Sequence, residues 1–251
     1  MTRVPDDKRR AVEPYLKFLR LLDDEVELDT RVAHILDEFT AEDFERLSVT
    51  LRDFGVTAGF SVPAIHLESR DSLSPAISTL AEDGHEILLH GYRHTSCRET
   101  HYGTAAAELE AAVDRFEADL DVRPTGFHVP FMRCSPGAVR AAEEHGLEWI
   151  VGAEISGADT SIEFLQPVSP YDLQLFGQGH TEAEVADRMN EATDDAPMLL
   201  CHPNIHAVHD ARESFAEFLA EGTFARPSAV AAVETDRTGL LLDCFPPFGV
   251  R

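Results

Sequence analysis

Lysine is nearly absent from this chain of 251 residues: of its 21 basic residues, only Lys8 and Lys17 are lysines. Acidic residues number 46, so the formal charge is −25. A surface this acidic repels phosphate backbones and anionic lipid headgroups, which argues against nucleic-acid-binding and membrane-surface proteins. Scarce lysine and abundant acid together are typical of proteins from high-salt cells, so we expect a halophilic protein.

Long apolar runs and paired cysteines are missing as well. No run approaches the ~18 apolar residues of a membrane-spanning helix, and the charged N-terminus has no apolar stretch of a secretion signal behind it. We therefore expect a soluble, cytoplasmic protein without a membrane partner. The cysteines, Cys97, Cys134, Cys201 and Cys244, form no C-x-x-C pair, so neither a zinc ribbon nor a redox motif is predicted, and reduced core thiols are expected.

Strand and helix patterns alternate along the chain after an amphipathic helix predicted over residues 9–22. Strands are predicted at 32–36, 57–63, 86–90, 126–129, 147–151, 198–201 and 240–242. Helices are predicted at 40–55, 74–84, 104–120, 135–146, from 181 onward and near 212–220. Residues 152–179 are expected to form a loop with short strands. This alternation predicts an α/β fold with a parallel sheet, open or closed into a barrel.

Reactive side chains follow several of these strands, where the ligand groups of parallel α/β folds collect. They are Asp37 and Glu38, His90 and His94, the segment 128–131, and His202. Two imidazoles four residues apart, completed by one carboxylate, are typical of a catalytic divalent-metal site with an open position for water. In isolation, the histidine spacing is a common coincidence and the two acids could be a first helical turn, while His206 and His209 are expected to be solvated.

Taken in chain order, these segments resemble the NodB-type polysaccharide deacetylase family. The closest match is D-G-H-E-I-L-L-H-G-Y-R-H at 83–94, which is similar to the family's G-H-E-I-x-x-H-[ST]-x-x-H. Weaker matches are V-A-H-I-L-D-E at 32–38 to T-F-D-D-G, F-G-V-T-A-G-F-S-V-P at 54–63 to A-T-F-F-V, G-F-H-V-P-F at 126–131 to R-x-P-[YF], and L-C-H at 200–202 to L-x-H. The resemblance covers roughly residues 30–235. It implies a distorted (β/α) barrel of about seven units over residues 30–251, preceded by a helical extension at 1–29.

The resemblance also implies an activity: metal-dependent removal of an N-acyl group, expected to be acetyl, from an amino sugar or related amide. The expected partner is a small saccharide or glycan precursor, and the oligomeric state is not predicted. By the family pattern, Asp37 would be the general base, His202 the general acid, and Glu38, His90 and His94 the ligands of a divalent ion, expected to be zinc. The backbone N–H of Phe131 would bind the oxyanion, and His128, Pro130 and Tyr92 would line the substrate pocket.

Three positions depart from the family pattern. Glu38 stands where the family usually has aspartate, Phe39 where it has glycine, and His128 where it has the arginine that orients the base. Arg133 could take the place of that arginine. These departures leave an alternative hypothesis, a NodB-like domain with impaired catalysis that serves as a binding or regulatory module. Serine hydrolases and dinucleotide-binding enzymes are disfavoured, because neither G-x-S-x-G nor G-x-G-x-x-G occurs at a suitable place.

Overall fold

The structure is a computed structural model that describes residues 41–69, 73–152, 159–167, 171–193, 198–208, 212–232 and 237–243. The predicted helix at 9–22, the predicted strand at 32–36 and the predicted domain boundary at residue 30 lie outside these ranges. Within them, strands and helices alternate as the sequence predicts.

The described strands form a single parallel sheet. They are β1 (Gly59–Val62), β2 (Glu86–Leu89), β3 (Gly126–His128), β4 (Trp149–Val151), β5 (Glu163–Leu165), β6 (Met198–Cys201), β7 (Phe224–Ala225) and β8 (Thr238–Asp243). Their order is β5-β4-β3-β2-β1-β8-β6, with β7 also paired to β8. The sheet is a half-barrel, which confirms the predicted α/β barrel class. The last strand in the chain therefore lies between β1 and β6.

Alternate residues of each strand contribute to two apolar layers. In β2, Ile87 and Leu89 pack into the large core beneath the helices, whereas Leu88 points to the opposite face. That second face is covered by strand side chains that form a smaller interior cluster: Leu88, Trp149, Val151, Leu165, Met198, Leu200 and Leu241. Burial on both faces explains why the strands are short, nearly continuous apolar runs.

The described helices are α1 (Ala41–Asp53), α2 (Ile65–Ser69), α3 (Leu73–Glu82), α4 (Tyr102–Leu120), α5 (Pro136–Glu144), α6 (Asp172–Gln178), α7 (Glu182–Thr193), α8 (Pro203–Val208), α9 (Arg212–Glu221) and α10 (Pro227–Ala231). The predicted cap of α5 is present, because the Ala138 N–H donates to the Ser135 hydroxyl over 3.1 Å. Thr181 and Glu184 likewise exchange the bonds of a capping box before α7. Among the described helices, none is long and apolar enough to cross a bilayer.

The sequence missed several elements, and most of them are too short to show a period. Residues 152–179 contain a short strand, β5, as expected, but also the seven-residue α6, which was not predicted. Helices α8 and α10 have six and five residues. An amphipathic repeat needs about three turns to be recognised, so such pieces are held by tertiary packing and not by a local pattern.

The described cysteines are free thiols, as predicted. Cys201 is buried, whereas Cys97 and Cys134 are half-buried neighbours in an isolated parallel bridge. Burial raises the pKa of Cys97 to about 12 and that of Cys134 to about 11. Both thiols therefore stay protonated near neutral pH. Cys244 lies outside the described residues.

His85, in the G-H-E-I segment, joins two strands through a backbone contact. Its Nδ1 accepts a hydrogen bond from the buried Ala58 N–H over 3.2 Å, and its ring meets Phe60 edge-on. Burial lowers the pKa of His85, although the nearby Asp83 opposes this. Because the unfolded chain then binds the extra proton more readily, this residue should lower stability as the pH falls below 6.5.

We expect His85→Ala to lower the free energy of unfolding by about 1–3 kcal/mol near neutral pH, because the Ala58 amide loses its acceptor. His85→Asn keeps an acceptor near that amide and cannot titrate, so it should lose less stability and should flatten the pH dependence. Urea unfolding in high salt at about pH 7.5 and about pH 5.5 measures both effects. Identical pH dependence in the wild type and His85→Asn would show that His85 does not contribute to it.

Candidate metal centre and active site

Buried polar side chains meet at the carboxyl edge of the sheet. His90 follows β2, His128 ends β3, His202 follows β6 and Asp243 ends β8. Each is less than 10% exposed. The strand ends that the sequence analysis singled out at residues 90, 128 and 202 do converge, and Asp243 joins them.

His90 is fixed by its neighbour on β3. Its Nδ1 donates to the backbone carbonyl of His128 over 2.7 Å, and the two rings stack at 4.2 Å between centroids. Because Nδ1 donates its hydrogen here, Nε2 is the ring nitrogen that can offer a lone pair to a ligand. Histidines that bind metals are commonly held in this way, by a backbone carbonyl on the other ring nitrogen.

The Nε2 atom of His90 faces a carboxylate. Asp243 Oδ2 lies 3.3 Å away, and both side chains are buried. Two acceptors at this separation repel each other unless a cation lies between them, either a proton on His90 or a metal ion. The contact is therefore either an ion pair with a protonated His90 or a place for a metal ion.

His128 lies beneath His90 and not at the surface. It is 3% exposed, and its Nδ1 is 2.8 Å from the hydroxyl of Ser61 on β1. Burial first, and then the charge of His90, hold the pKa of His128 well below its ordinary value, so this ring is neutral. His128 therefore lies where it orients His90 and borders the Asp243 contact, and its predicted contact with a substrate stays a prediction.

The loop after β2 brings His94 back against His90. His94 is buried and has a φ of 55°, a left-handed conformation that few non-glycine residues adopt. Its ring meets His90 edge-on at 4.5 Å and Phe131 edge-on at 4.9 Å. Phe131 also has a positive φ, 59°, and is 56% exposed. Strained residues of this kind cluster at functional sites, where packing holds them in place.

On the other side of the edge, His202 is bound to a second acid. Its Nδ1 lies 2.7 Å from Asp172 Oδ1, and its backbone N–H donates to Asp172 Oδ2. His206 binds the same carboxylate, with Nε2 3.1 Å from Oδ2. The expectation that His206 is solvated is wrong: it is 3% exposed, because α8 begins directly after His202 and carries its side chain inward.

The charges of this group depend on one another. Burial alone would lower the pKa of His202, but the charge and hydrogen bond of Asp172, with a smaller effect of Asp243, raise it overall. Burial alone would raise the pKa of Asp172, but His202 and His206 lower it. Asp172 therefore favours the protonated form of His202, and the two imidazoles favour the ionised form of Asp172. The Nε2 atom of His202 points towards Asp243 Oδ2, 3.9 Å away.

The donor set fits a divalent ion. One ligand atom each from His90, His128 and Asp243 lies within 4.8 Å of the others. Imidazole nitrogen and carboxylate oxygen suit zinc and other divalent transition ions.

The family model for polysaccharide deacetylases matches residues 27–150, about half of the chain. The chain belongs to the polysaccharide deacetylase family. A curated member of similar sequence is a peptidoglycan deacetylase-like protein from Gibberella zeae, 27% identical over 94 residues, which are 38% of this chain. The aligned part is 27% of that fungal protein, so the match covers about a quarter of its length.

Two solved structures show the same fold. A probable polysaccharide deacetylase from Pseudomonas aeruginosa is 18% identical with a TM-score of 0.62, over 83% of this chain and 76% of that chain. A CE4 family pseudoenzyme from Bacillus anthracis is 11% identical with a TM-score of 0.54, over 81% of this chain and 59% of that chain. The fold thus occurs both in a probable deacetylase and in a pseudoenzyme. The activity of this chain therefore has to be argued from its site.

The remaining predicted site residues take varied positions. Pro130 is buried in a 3-10 turn, beside Gly91 in the loop after β2. Tyr92 is half-buried, donates from its hydroxyl to Glu68, and carries the Arg93 guanidinium 4.9 Å above its ring. Arg133 is exposed. Asp37 and Glu38 lie outside the described residues, so their roles stay predictions.

Sequence reasoning missed Asp172, Asp243 and Ser61. A signal existed for Asp243, since it directly follows the apolar run 240–242, just as Asp37 follows 32–36. Asp172 carried none, because it lies in the segment whose helix was not predicted. Ser61 is a small polar residue within a strand, which is ordinary in itself.

Proposed function

We propose that this chain is a metal-dependent hydrolase that removes an N-acyl group, in the first place acetyl, from an amino sugar. The observation that carries the proposal is the facing pair of His90 Nε2 and Asp243 Oδ2, two buried acceptors 3.3 Å apart that require a cation. Beside them stands His202, a second imidazole held by its own acid. A cation site next to a proton donor is what amide hydrolysis needs.

A divalent ion at this centre would polarise the amide carbonyl and lower the pKa of water to ~7. His90 and the imidazoles packed around it would hold the ion together with a carboxylate. We expect zinc, although other divalent transition ions have the same ligand preferences.

The chain's own residues provide the proton for the leaving nitrogen. Because Nδ1 of His202 is bound to Asp172, the transferable proton is the one on Nε2, which faces the centre. Asp172 keeps the ring in this orientation and raises its pKa, which favours the protonated form that a general acid needs. The roles of Asp37 as general base and of the Phe131 N–H as oxyanion donor come from the family resemblance and belong to this proposal.

The test is a screen for acetate release by the purified protein in high salt. The panel should contain oligomers of N-acetylglucosamine and peptidoglycan fragments, since one relative is named for peptidoglycan, with an O-acetylated xylo-oligosaccharide as the ester control. We expect acetate and a free amine from at least one N-acetylated sugar. No release by the metal-loaded protein from any of them would favour the binding-module hypothesis.

Removal of the metal ion provides a second test of the proposed function. Dialysis against a chelator is expected to abolish acetate release, and addition of about one equivalent of zinc should restore it, because no other described group replaces the ion as a Lewis acid. Elemental analysis before and after dialysis gives the stoichiometry. Full activity in protein shown to contain no metal would refute the metal-dependent mechanism.

A further inference from the structure

We propose that Asp243, at the end of the C-terminal strand β8, supplies the carboxylate ligand of the metal centre, the part that the family resemblance assigns to Glu38. This inference rests on the proposed function, because it names a ligand of the same centre. It places that ligand about 200 residues further along the chain than the family pattern does.

The first support is the separation of the two donor atoms. Two ligand atoms bound tetrahedrally to one zinc ion at ~2.0–2.1 Å lie about 3.3–3.4 Å apart. His90 Nε2 and Asp243 Oδ2 are 3.3 Å apart. His90 Nδ1–H donates a hydrogen bond to the His128 carbonyl, so Nε2 is the ring nitrogen that can coordinate an ion.

The second support is the surroundings of the carboxylate. Asp243 is 5% exposed, and the Nε2 atoms of His90 and His202 lie 3.3 Å and 3.9 Å from its Oδ2. A buried carboxylate among imidazoles is found where it is paired or binds a metal.

The third support is the strand order. Strand β1 is paired on one side by β2 and on the other by β8, over Gly59–Ser61 in both cases. Asp243 is the register partner of Ser61, whose hydroxyl contacts His128. The backbone of the sheet therefore fixes Asp243 at the carboxyl edge, next to His90 and His128.

The first experiment measures zinc affinity by competition with a chromophoric chelator, in high salt, for the wild type, Asp243→Asn and Glu38→Gln. Both substitutions remove a charge at nearly constant volume. We expect Asp243→Asn to weaken binding by about 10- to 100-fold or more, and Glu38→Gln to leave it within a factor of about two. Wild-type affinity in Asp243→Asn together with lost affinity in Glu38→Gln would overturn the proposal.

A second experiment keeps the inference testable if Asp243→Asn does not fold, because it looks for a new absorption band and not for a loss of binding. In Asp243→Cys, a thiolate that binds cobalt(II) gives an intense near-ultraviolet charge-transfer band that oxygen and nitrogen ligands do not give. We expect this band in Asp243→Cys and neither in Glu38→Cys nor in the wild type, which controls for the native thiols. The band in Glu38→Cys and not in Asp243→Cys would assign the ligand to Glu38 and refute the inference.

The two failures can be told apart. If the wild type binds about one zinc and releases acetate, but residue 243 fails both metal tests, the proposed function stands and this inference falls. If the wild type binds no divalent ion, both fall.

Discussion

His90→Ala is expected to reduce zinc affinity by about a hundredfold or more and deacetylase kcat/KM by about a thousandfold. The substitution removes the ligand atom that faces Asp243. Loss of a residue that only supports a ligand costs about 10- to 100-fold in metal affinity, so loss of the ligand itself should cost at least the upper value. A thousandfold fall in rate corresponds to ~4 kcal/mol, within the several kcal/mol that metal polarisation supplies.

The same substitution leaves the His128 carbonyl without its donor, which should cost about 1–3 kcal/mol of stability. Chelator competition, acetate release and urea unfolding on one preparation separate these effects. His101→Ala is the matched control, because His101 is exposed on the loop before α4 and should change none of the three. Undiminished zinc binding by folded His90→Ala would remove His90 from the centre.

Asp172→Asn is expected to lower kcat by about 10²- to 10⁴-fold, the usual contribution of a general acid. The carboxylate of Asp172 binds His202 at two points and His206 at a third. An amide cannot hold the protonated ring by charge, so the pKa of His202 should fall and less of the acid form should remain near neutral pH. The alkaline limb of the rate profile should therefore move to lower pH, which a purely structural role would not produce.

Stability should change as well, by about 3–5 kcal/mol, since removal of one partner leaves buried charge unpaired. The pH dependence of this stability has opposite signs for Asp172 and His202. The lowered pKa of Asp172 contributes stability above the unfolded carboxyl pKa that is lost as the pH falls, and the raised pKa of His202 contributes stability below pH 6.5 that is lost as the pH rises. Asp114→Asn, at an exposed position on α4, is the control for loss of one charge. A wild-type pH profile in Asp172→Asn would contradict the proton-donor assignment.

The alternation of strands and helices was predictable because local residues mark where each element begins and ends. The capping box of Thr181 and the Ser-Pro start at residue 135 mark helix starts by local chemistry that the structure reproduces. The order of the strands was not predictable in the same way. Nothing local to residues 238–243 says that this strand pairs with β1 and β6, since pairing depends on which apolar faces remain to be covered.

The candidate site shows the same difference between what local sequence predicts and what only the folded chain brings together. His90, His94 and His202 were found because each follows a recognisable strand, and the structure brings His90 together with both of the others through direct packing or through Asp243. The acids that complete the group were missed. Asp172 belongs to a helix too short to be predicted, and its partners His202 and His206 are 30 and 34 residues away. Such contacts exist only once the chain has folded.

The central place of β8 also bears on how the chain folds. Gly59 pairs with Leu241, so two neighbouring strands are separated by about 180 residues of sequence. Loop closure over such a distance is slow, and β1 must wait for its second neighbour while the rest of the sheet assembles. During that interval its Gly-Phe-Ser-Val edge presents unpaired backbone groups to other chains. Slow synthesis at low chain concentration should therefore favour recovery of the native protein over aggregation.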